Sequence, residues 1–332
     1  MRAQHQHGIG ALGSFAAGIE IFGQARASER SDRLHEFKSG EYVAARQCTA
    51  QRCPPSMINQ EHLHRRIGEI GTERNLTAFS VAAHDYQTGC SFDVESDRWF
   101  HAASVIKLAV LLGVFKAVDD GNFRLDDPVH VRNRFRSVAD HSPYRLEGDR
   151  DGDAECYRRI GRTMQIAELS RAMIVRSSNL ATNVLLELIG LDFVRDALQA
   201  AGVNGVRIVR GVEDHVAFER GISNEMTTAG ARQLLRVLHE GEFLRPESCE
   251  EIRGILLAQE LNSMIPARLP KTAKVAHKTG EISTHSHDAG VVFPEGHEPY
   301  IVAIFTESES VVDQRSRAVA EISEAIFAEL RP

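Results

Sequence analysis

From Glu61 the apolar positions recur at helical spacing: Leu63, Ile67 and Ile70 share one stripe, and Gly71 reads as the break that ends the helix. Leu76 to Ala83 is rich in β-forming residues and runs into Asp85-Tyr86-Gln87-Thr88-Gly89, a turn signal. Ser91 to Val94 follows as a second short strand, so the pattern predicts a hairpin. Ser104 to Val118 is apolar on nearly every side, with Val105, Leu108, Leu111, Leu112, Phe115 and Val118, and predicts a core helix closed by Gly121. Further helices are predicted at Gln165 to Val175, Asn179 to Ile189, Phe193 to Ala200, Thr227 to His239 and Glu247 to Leu257. The pattern then reverts to strands at Lys274 to Thr279, Ala289 to Phe293 and Tyr300 to Phe305. A last helix carries Val319, Ile322, Ile326 and Leu330 on one stripe.

Strands at both ends with helices between them predict an α/β chain. An antiparallel sheet is assembled from the N- and C-terminal segments and flanked by helices, and an all-helical lobe is inserted between them. Residues 1–58 lack a sustained period and read as a leader or disordered tail. Residues 59–332 read as one catalytic domain, its α/β lobe about 59–103 and 266–332 and its helical lobe about 104–265. No internal repeat is present.

Composition narrows the classes. A chain of 332 residues with 42% hydrophobic content can bury a large core. The net charge of −7 comes with no basic block, which argues against a nucleic-acid groove. No uncharged apolar run reaches the roughly 18 residues of a membrane span. Gly8 to Gly23 is mostly small or apolar, and Ala25-Arg26-Ala27 would suit the end of a signal peptide, although Arg2 is the sole positive charge ahead of it and Glu20 interrupts the run. The five cysteines are odd in number and scattered. They read as free thiols, with a Cys48–Cys53 bridge as the alternative. Glu147 to Asp153 resembles the start of a calcium loop, but Arg158 holds the twelfth position, so the segment reads as a solvated acidic loop.

Three short stretches carry candidate chemistry. In Ser104-Val105-Ile106-Lys107, two polar residues head an otherwise buried helix, and a spacing of three places them on one face. A hydroxyl needs a base to become a nucleophile, and a lysine in a dehydrated site is one, because burial lowers its pKa. The helix start also presents backbone N–H groups to a developing oxyanion. Ser177-Ser178-Asn179 lies between two apolar helical segments, on a tight interhelical turn. Lys278-Thr279-Gly280 ends a strand, and Gly280 lets a ligand backbone approach its edge. Each stretch alone is explained as well by a helix cap or a strand end. Together, in this order and in these contexts, they form the set known from class A β-lactamases and penicillin-binding proteins.

Phe100-His101-Ala102-Ala103-Ser104-Val105-Ile106-Lys107-Leu108 resembles the nucleophile region of class A serine β-lactamases, as does Ser178-Asn179-Leu180-Ala181-Thr182-Asn183-Val184-Leu185-Leu186. Met226-Thr227-Thr228 resembles the helix start after the family's Ω-loop, and Ile265-Pro266-Ala267-Arg268-Leu269-Pro270 the approach to its lysine–threonine–glycine strand. The resemblance runs from about Glu61 to Leu330. It implies a β-lactamase/transpeptidase-like fold and a serine hydrolase that opens β-lactam rings through a Ser104 acyl-enzyme. Lys107 would activate Ser104, Ser177 would protonate the leaving nitrogen, and Asn179 would bind the substrate amide and position Lys107. Lys278 and Thr279 would bind the substrate carboxylate, with Arg268 assisting, and the Glu281 N–H would complete the oxyanion hole with that of Ser104. At the family's spacing, thirty-six residues after Ser177, stands Glu213, the candidate base for deacylation.

The chain departs from the family in several places. Ala217 replaces the loop asparagine four residues after the glutamate, Ser178 replaces an aspartate, and Glu281 is bulkier than usual. Gly211 and Met226 stand where an arginine–aspartate pair pins the loop, for which Arg210 with Asp214 or Glu225 would substitute. No cofactor or metal is implied, and His285 with His287 reads as an exposed loop pair after the strand. The resemblance further implies a monomer, a small-molecule β-lactam or cell-wall peptide substrate, and a periplasmic or secreted location. The competing readings are a D-alanyl-D-alanine carboxypeptidase or other amide or ester hydrolase on the same scaffold, and a non-catalytic β-lactam or muropeptide sensor.

Overall fold

The structure, a computed structural model, describes residues 59–149 and 151–330. The leader expected over residues 1–58 and the Cys48–Cys53 pair lie outside them. The main strands are β1 (Ala78–Asp85), β2 (Ser91–Val94), β3 (Lys274–Glu281), β4 (His285–Phe293) and β5 (Tyr300–Glu307). They form one sheet in the order β3-β4-β5-β1-β2, every pair antiparallel. The two ends of the chain meet inside it, where Ala83 pairs with Val302.

The longer helices are α1 (Gln60–Glu73), α2 (Lys107–Asp119), α3 (Ile166–Val175), α4 (Asn179–Ile189), α5 (Leu191–Ala200), α6 (Thr228–Glu240), α7 (Pro246–Leu257) and α8 (Val312–Leu330). Successive strand residues point to opposite faces. Val302 and Ile304 therefore join one core with α1 and α8, while Ile301, Ala303 and Phe305 join another with α2 and the central helices. Both faces being covered explains why β5 is apolar almost throughout. Among the described residues no helix is long and apolar enough to cross a membrane.

The structure differs from the sequence expectation at particular points. Gly71 does not end α1, which continues to Glu73; a Cβ at residue 71 would lie 2.6 Å from the Phe79 ring, so glycine lets α1 sit down on β1. The nucleophile segment is not the first turn of an α-helix but a 3-10 turn, Ala103–Ile106, from which α2 continues. Strand β4 starts at His285 rather than Ala289, so the His-x-His pair sits in a strand and His287 is fully buried. Cys90 is disulfide-bonded, against the expectation of free thiols, while Cys156 and Cys249 are free and buried.

The segment between β2 and β3 is not all-helical as expected, for short strand pairs lie within it. Phe100–His101 pairs with Glu225–Met226, which pairs in turn with Val206–Arg207. This small sheet ties both ends of the loop bearing Glu213 to the segment that leads into Ser104.

Candidate active site

Ser104 is half-buried in its 3-10 turn, where residues three apart stack along the axis, placing it over Lys107. Across from it runs β3. A Cβ built on Gly280 would fall 2.9 Å from the Ser104 nitrogen and 3.0 Å from the Val105 nitrogen. Only a residue without a side chain leaves the space beside those N–H groups open, which is the geometry an oxyanion hole needs.

Lys107 is fully buried and donates to the Ser177 carbonyl at 2.8 Å, to Ser177 Oγ at 3.1 Å and to Asn179 Oδ1 at 2.7 Å. Burial, followed by the charge of Lys278, pushes its pKa well below the usual lysine range, while Asp151 and Glu213 oppose the shift. Among the described residues no hydrogen bond joins Ser104 Oγ to Lys107. Ser177 adopts a left-handed conformation at φ 60°, and this bend turns both its carbonyl and its hydroxyl toward the amine.

Asn179 faces two ways. Its Oδ1 accepts from Lys107, and its Nδ2 donates to Glu213 Oε1 at 2.5 Å. One amide thus connects the two candidate bases. Glu213 is itself left-handed at φ 57° and half-buried, and burial raises its pKa against the opposing hydrogen bond from Asn179.

The loop is held by contacts that single residue types did not announce. Asn183, one turn beyond Asn179, accepts the Val212 N–H at 2.8 Å and donates to the Val212 carbonyl at 3.0 Å. Gly211 fits because a Cβ there would meet Tyr144 Oη at 2.7 Å and Asn183 Oδ1 at 2.9 Å. Among the described residues Arg210 makes no ion pair with Asp214 or Glu225, so the anticipated pin is not formed. Arg210 donates instead to the Ile222 and Gly211 carbonyls, Asp214 caps the short helix His215–Glu219 through Ala217 N, and Glu225 pairs with Arg207. Ala217 is buried in that short helix and offers no polar group to the cleft. Ser178 caps α4 by accepting from Ala181 N, which fills the role a carboxylate would have there.

The acidic segment is not simply solvated. Asp151 Oδ2 accepts the Leu180 N–H at 2.7 Å, and Asp153 caps the short helix Ala154–Arg158. A Cβ at Gly152 would sit 1.9 Å from the Arg176 carbonyl, so the loop is pressed onto the turn that bears Ser177 and Asn179.

Lys278 is fully buried and donates to the Thr279 carbonyl at 2.8 Å, and burial pulls its pKa down to about 7. A cavity of about 340 Å³ is lined by Ser104, Gly152, Arg176, Ser177, Asn179, Thr279 and Glu281, among others. A larger one of about 660 Å³ shares Ser104, Asn179 and Glu281 and adds His101, Glu213 and Phe218. Thr279 therefore meets the cleft directly while Lys278 lies behind it. The Glu281 carboxylate accepts from Ser316 and Ser286. Arg268 is removed from both cavities and pairs with Glu324 on α8, so it has no part in the site; Arg176, which the sequence did not single out, is the guanidinium that lines the smaller cavity. Among the described residues no cluster of histidine, cysteine and carboxylate side chains is arranged to hold a metal ion.

The profile of the Beta-lactamase enzyme family matches residues 62–330. The chain is 25% identical over 248 residues to a beta-lactamase of Rhodobacter capsulatus, covering 74% of this chain and 80% of that one. It is 28% identical over 247 residues to a carbapenem-hydrolyzing beta-lactamase KPC of Klebsiella oxytoca, covering 73% and 80%. In fold it resembles a beta-lactamase from Xanthomonas campestris, with a TM-score of 0.72 at 23% identity over 82% of this chain and 99% of the other.

Proposed function

We propose that this chain, which belongs to the beta-lactamase enzyme family, is a serine hydrolase of the class A type that opens β-lactam rings through an acyl-enzyme on Ser104. The observation that carries the reading is the Asn179 amide, which joins Lys107 to Glu213 at the cleft that Ser104 also lines. Ser104 Oγ attacks the lactam carbonyl as its proton passes to Lys107, or to Glu213 through a water. The developing oxyanion takes hydrogen bonds from the Ser104 and Glu281 N–H groups. Ser177 delivers a proton to the nitrogen as the C–N bond breaks. Glu213 then removes a proton from the water that attacks the ester, and Ser104 leaves with its proton restored. Thr279 and Lys278 would attract the substrate carboxylate at the β3 edge.

The family resemblance carries with it action as a monomer. Residues 59–332 would be one catalytic domain, with an α/β lobe about 59–103 and 266–332 around a helical lobe about 104–265. The Cys90 disulfide favours an oxidising compartment, and with it export to where cell-wall substrates and β-lactams are met.

Ala217 favours a second reading. Without a polar side chain there, the deacylating water has one holder fewer, and the scaffold would then serve as a D-alanyl-D-alanine carboxypeptidase or related acyl-transfer enzyme. Incubation with a chromogenic cephalosporin, following colour and intact mass together, separates the outcomes. Catalytic colour release with a transient adduct is expected; a persistent adduct supports the second reading. Neither colour nor adduct would remove the assignment.

A further inference from the structure

His101 lines the larger cavity three residues before the nucleophile, and nothing in the reaction above uses it. Its Nδ1 accepts the Ala103 N–H at 3.0 Å. Ala103 stands at φ 46°, the left-handed region that an alanine rarely adopts unless its surroundings impose it. The Ala103 Cβ would lie 3.1 Å from a Cβ on Gly280, so the turn is also pressed against β3.

His101 is itself anchored from the sheet. Its carbonyl accepts from His287 Nε2 at 3.0 Å, while Thr306 N donates to His287 Nδ1 at 3.2 Å. A ring that donates at one nitrogen and accepts at the other is neutral with its tautomer fixed. A chain of hydrogen bonds thus runs from β5 through His287 and His101 to Ala103, and covalently on to Ser104.

We propose that His101 is a positioning residue for Ser104: by accepting the Ala103 N–H it holds the left-handed turn that aims the hydroxyl into the cleft. The proposal rests on Ser104 being the nucleophile of the reaction proposed above. Nδ1 must be bare for this role. Burial first, then the charges of Arg210 and His285, pull His101 down to about 4, so the acceptor is available at neutral pH. The groups facing the ring are Arg210 and Phe218 from the loop and His285 from β4, while His287 of β4 holds the backbone carbonyl. Arg210 NH2 lies 3.5 Å from Nε2, and its charge opposes a second proton on the ring. Since Arg210 and Glu213 share a loop, the same ring links the nucleophile turn to the deacylating side of the site.

The test uses the full chain with His101→Phe, which keeps ring packing and loses the acceptor, and His101→Asn, whose amide oxygen can stand near Nδ1. Acylation of Ser104 by a fluorescent penicillin should slow about tenfold or more in H101F and recover to within about threefold of wild type in H101N. Independently of turnover, the Ala103 amide signal in a nitrogen–proton correlation spectrum should move with pH around a midpoint near 4 in wild type and lose that movement in both variants. Wild-type acylation by H101F, or an Ala103 amide with the same position and pH response in wild type and H101F, would overturn the proposal. If wild type is acylated by no β-lactam, the functional reading falls, while the amide signal still decides the role of His101.

Discussion

An amide side chain presents an acceptor and a donor a little over 2 Å apart, and Asn179 uses the two on opposite partners, an amine on one side and a carboxylate on the other. The consequence at Glu213 is testable. With Glu213→Gln the base of the proposed second step is lost while Lys107 remains to take the Ser104 proton, so turnover should fall at least about a hundredfold while intact mass retains the adduct. Burial holds the Glu213 carboxyl above the usual carboxylate range. Its basic form is therefore lost as pH falls, and the acid limb of wild-type deacylation should lie above about 4.3, the ordinary glutamate value. Adduct release as fast as in wild type would exclude Glu213 from the step. Gly152 offers a steric test, because a methyl 1.9 Å from the Arg176 carbonyl forces the loop away and takes Asp151 from the Leu180 N–H. Gly152→Ala should cost about 1–3 kcal/mol in urea unfolding and slow acylation; unchanged stability would mean the loop yields without cost. At this scale the sequence pointed to Ser104, Lys107, Ser177, Asn179 and Glu213 as candidates through three short motifs and the family's spacing, and the fold brings them to one cleft. His101, Asp151 and Asn183 were not legible as site residues, since each acts through a hydrogen bond to backbone distant in sequence or bent in the fold.

The elements differ in how much of their cause is local. Helix α4 was readable to its end residues, because its apolar stripe and its Ser178 cap lie within a dozen positions of chain. The first half of β4 was not. His285, Ser286, His287 and Asp288 look like a loop in sequence. The strand exists because buried partners satisfy them: Asp288 accepts from His277 at 2.9 Å, and the Ser286 carbonyl accepts from Thr306. A buried polar run is tolerable only when its hydrogen bonds are made, and the partners come from β3 and β5. The loop that bears Glu213 follows the same logic, for it has little regular structure of its own and borrows order from Asn183. Asn183→Ala should loosen it, costing about 1–2 kcal/mol for the two lost bonds. Acylation should stay within about threefold of wild type while deacylation slows about tenfold or more, because Ser104 and Lys107 are held independently of Val212. Burst amplitude and steady-state rate with a chromogenic cephalosporin separate the two steps. Equal slowing of both would show that the loop and the nucleophile turn move as one.

Across the whole molecule, the two halves of the site depend on a sheet whose interior contains a histidine that must stay neutral. His287 is fully buried among Phe100, Phe305, His101 and His285, and burial holds its pKa down to about 3. In the unfolded chain the same ring takes a proton near 6.5. Above that value neither state binds the proton and the group is indifferent. As pH falls below 6.5 the unfolded state is protonated and the folded one is not, so stability is lost progressively down to about 3 and then levels. By pH 5 the loss from this one residue amounts to about 2 kcal/mol. The comparison that isolates it is urea unfolding of wild type and His287→Gln at pH 7.5 and pH 5.0. The variant gives up packing at both values but has no ring to titrate, so wild type should be the more stable at pH 7.5 and its advantage should shrink by about that 2 kcal/mol at pH 5.0. An advantage that stays constant between the two would mean that the folded state does not hold the His287 ring neutral over this range, and the sheet would then not be the acid-sensitive support of the nucleophile turn.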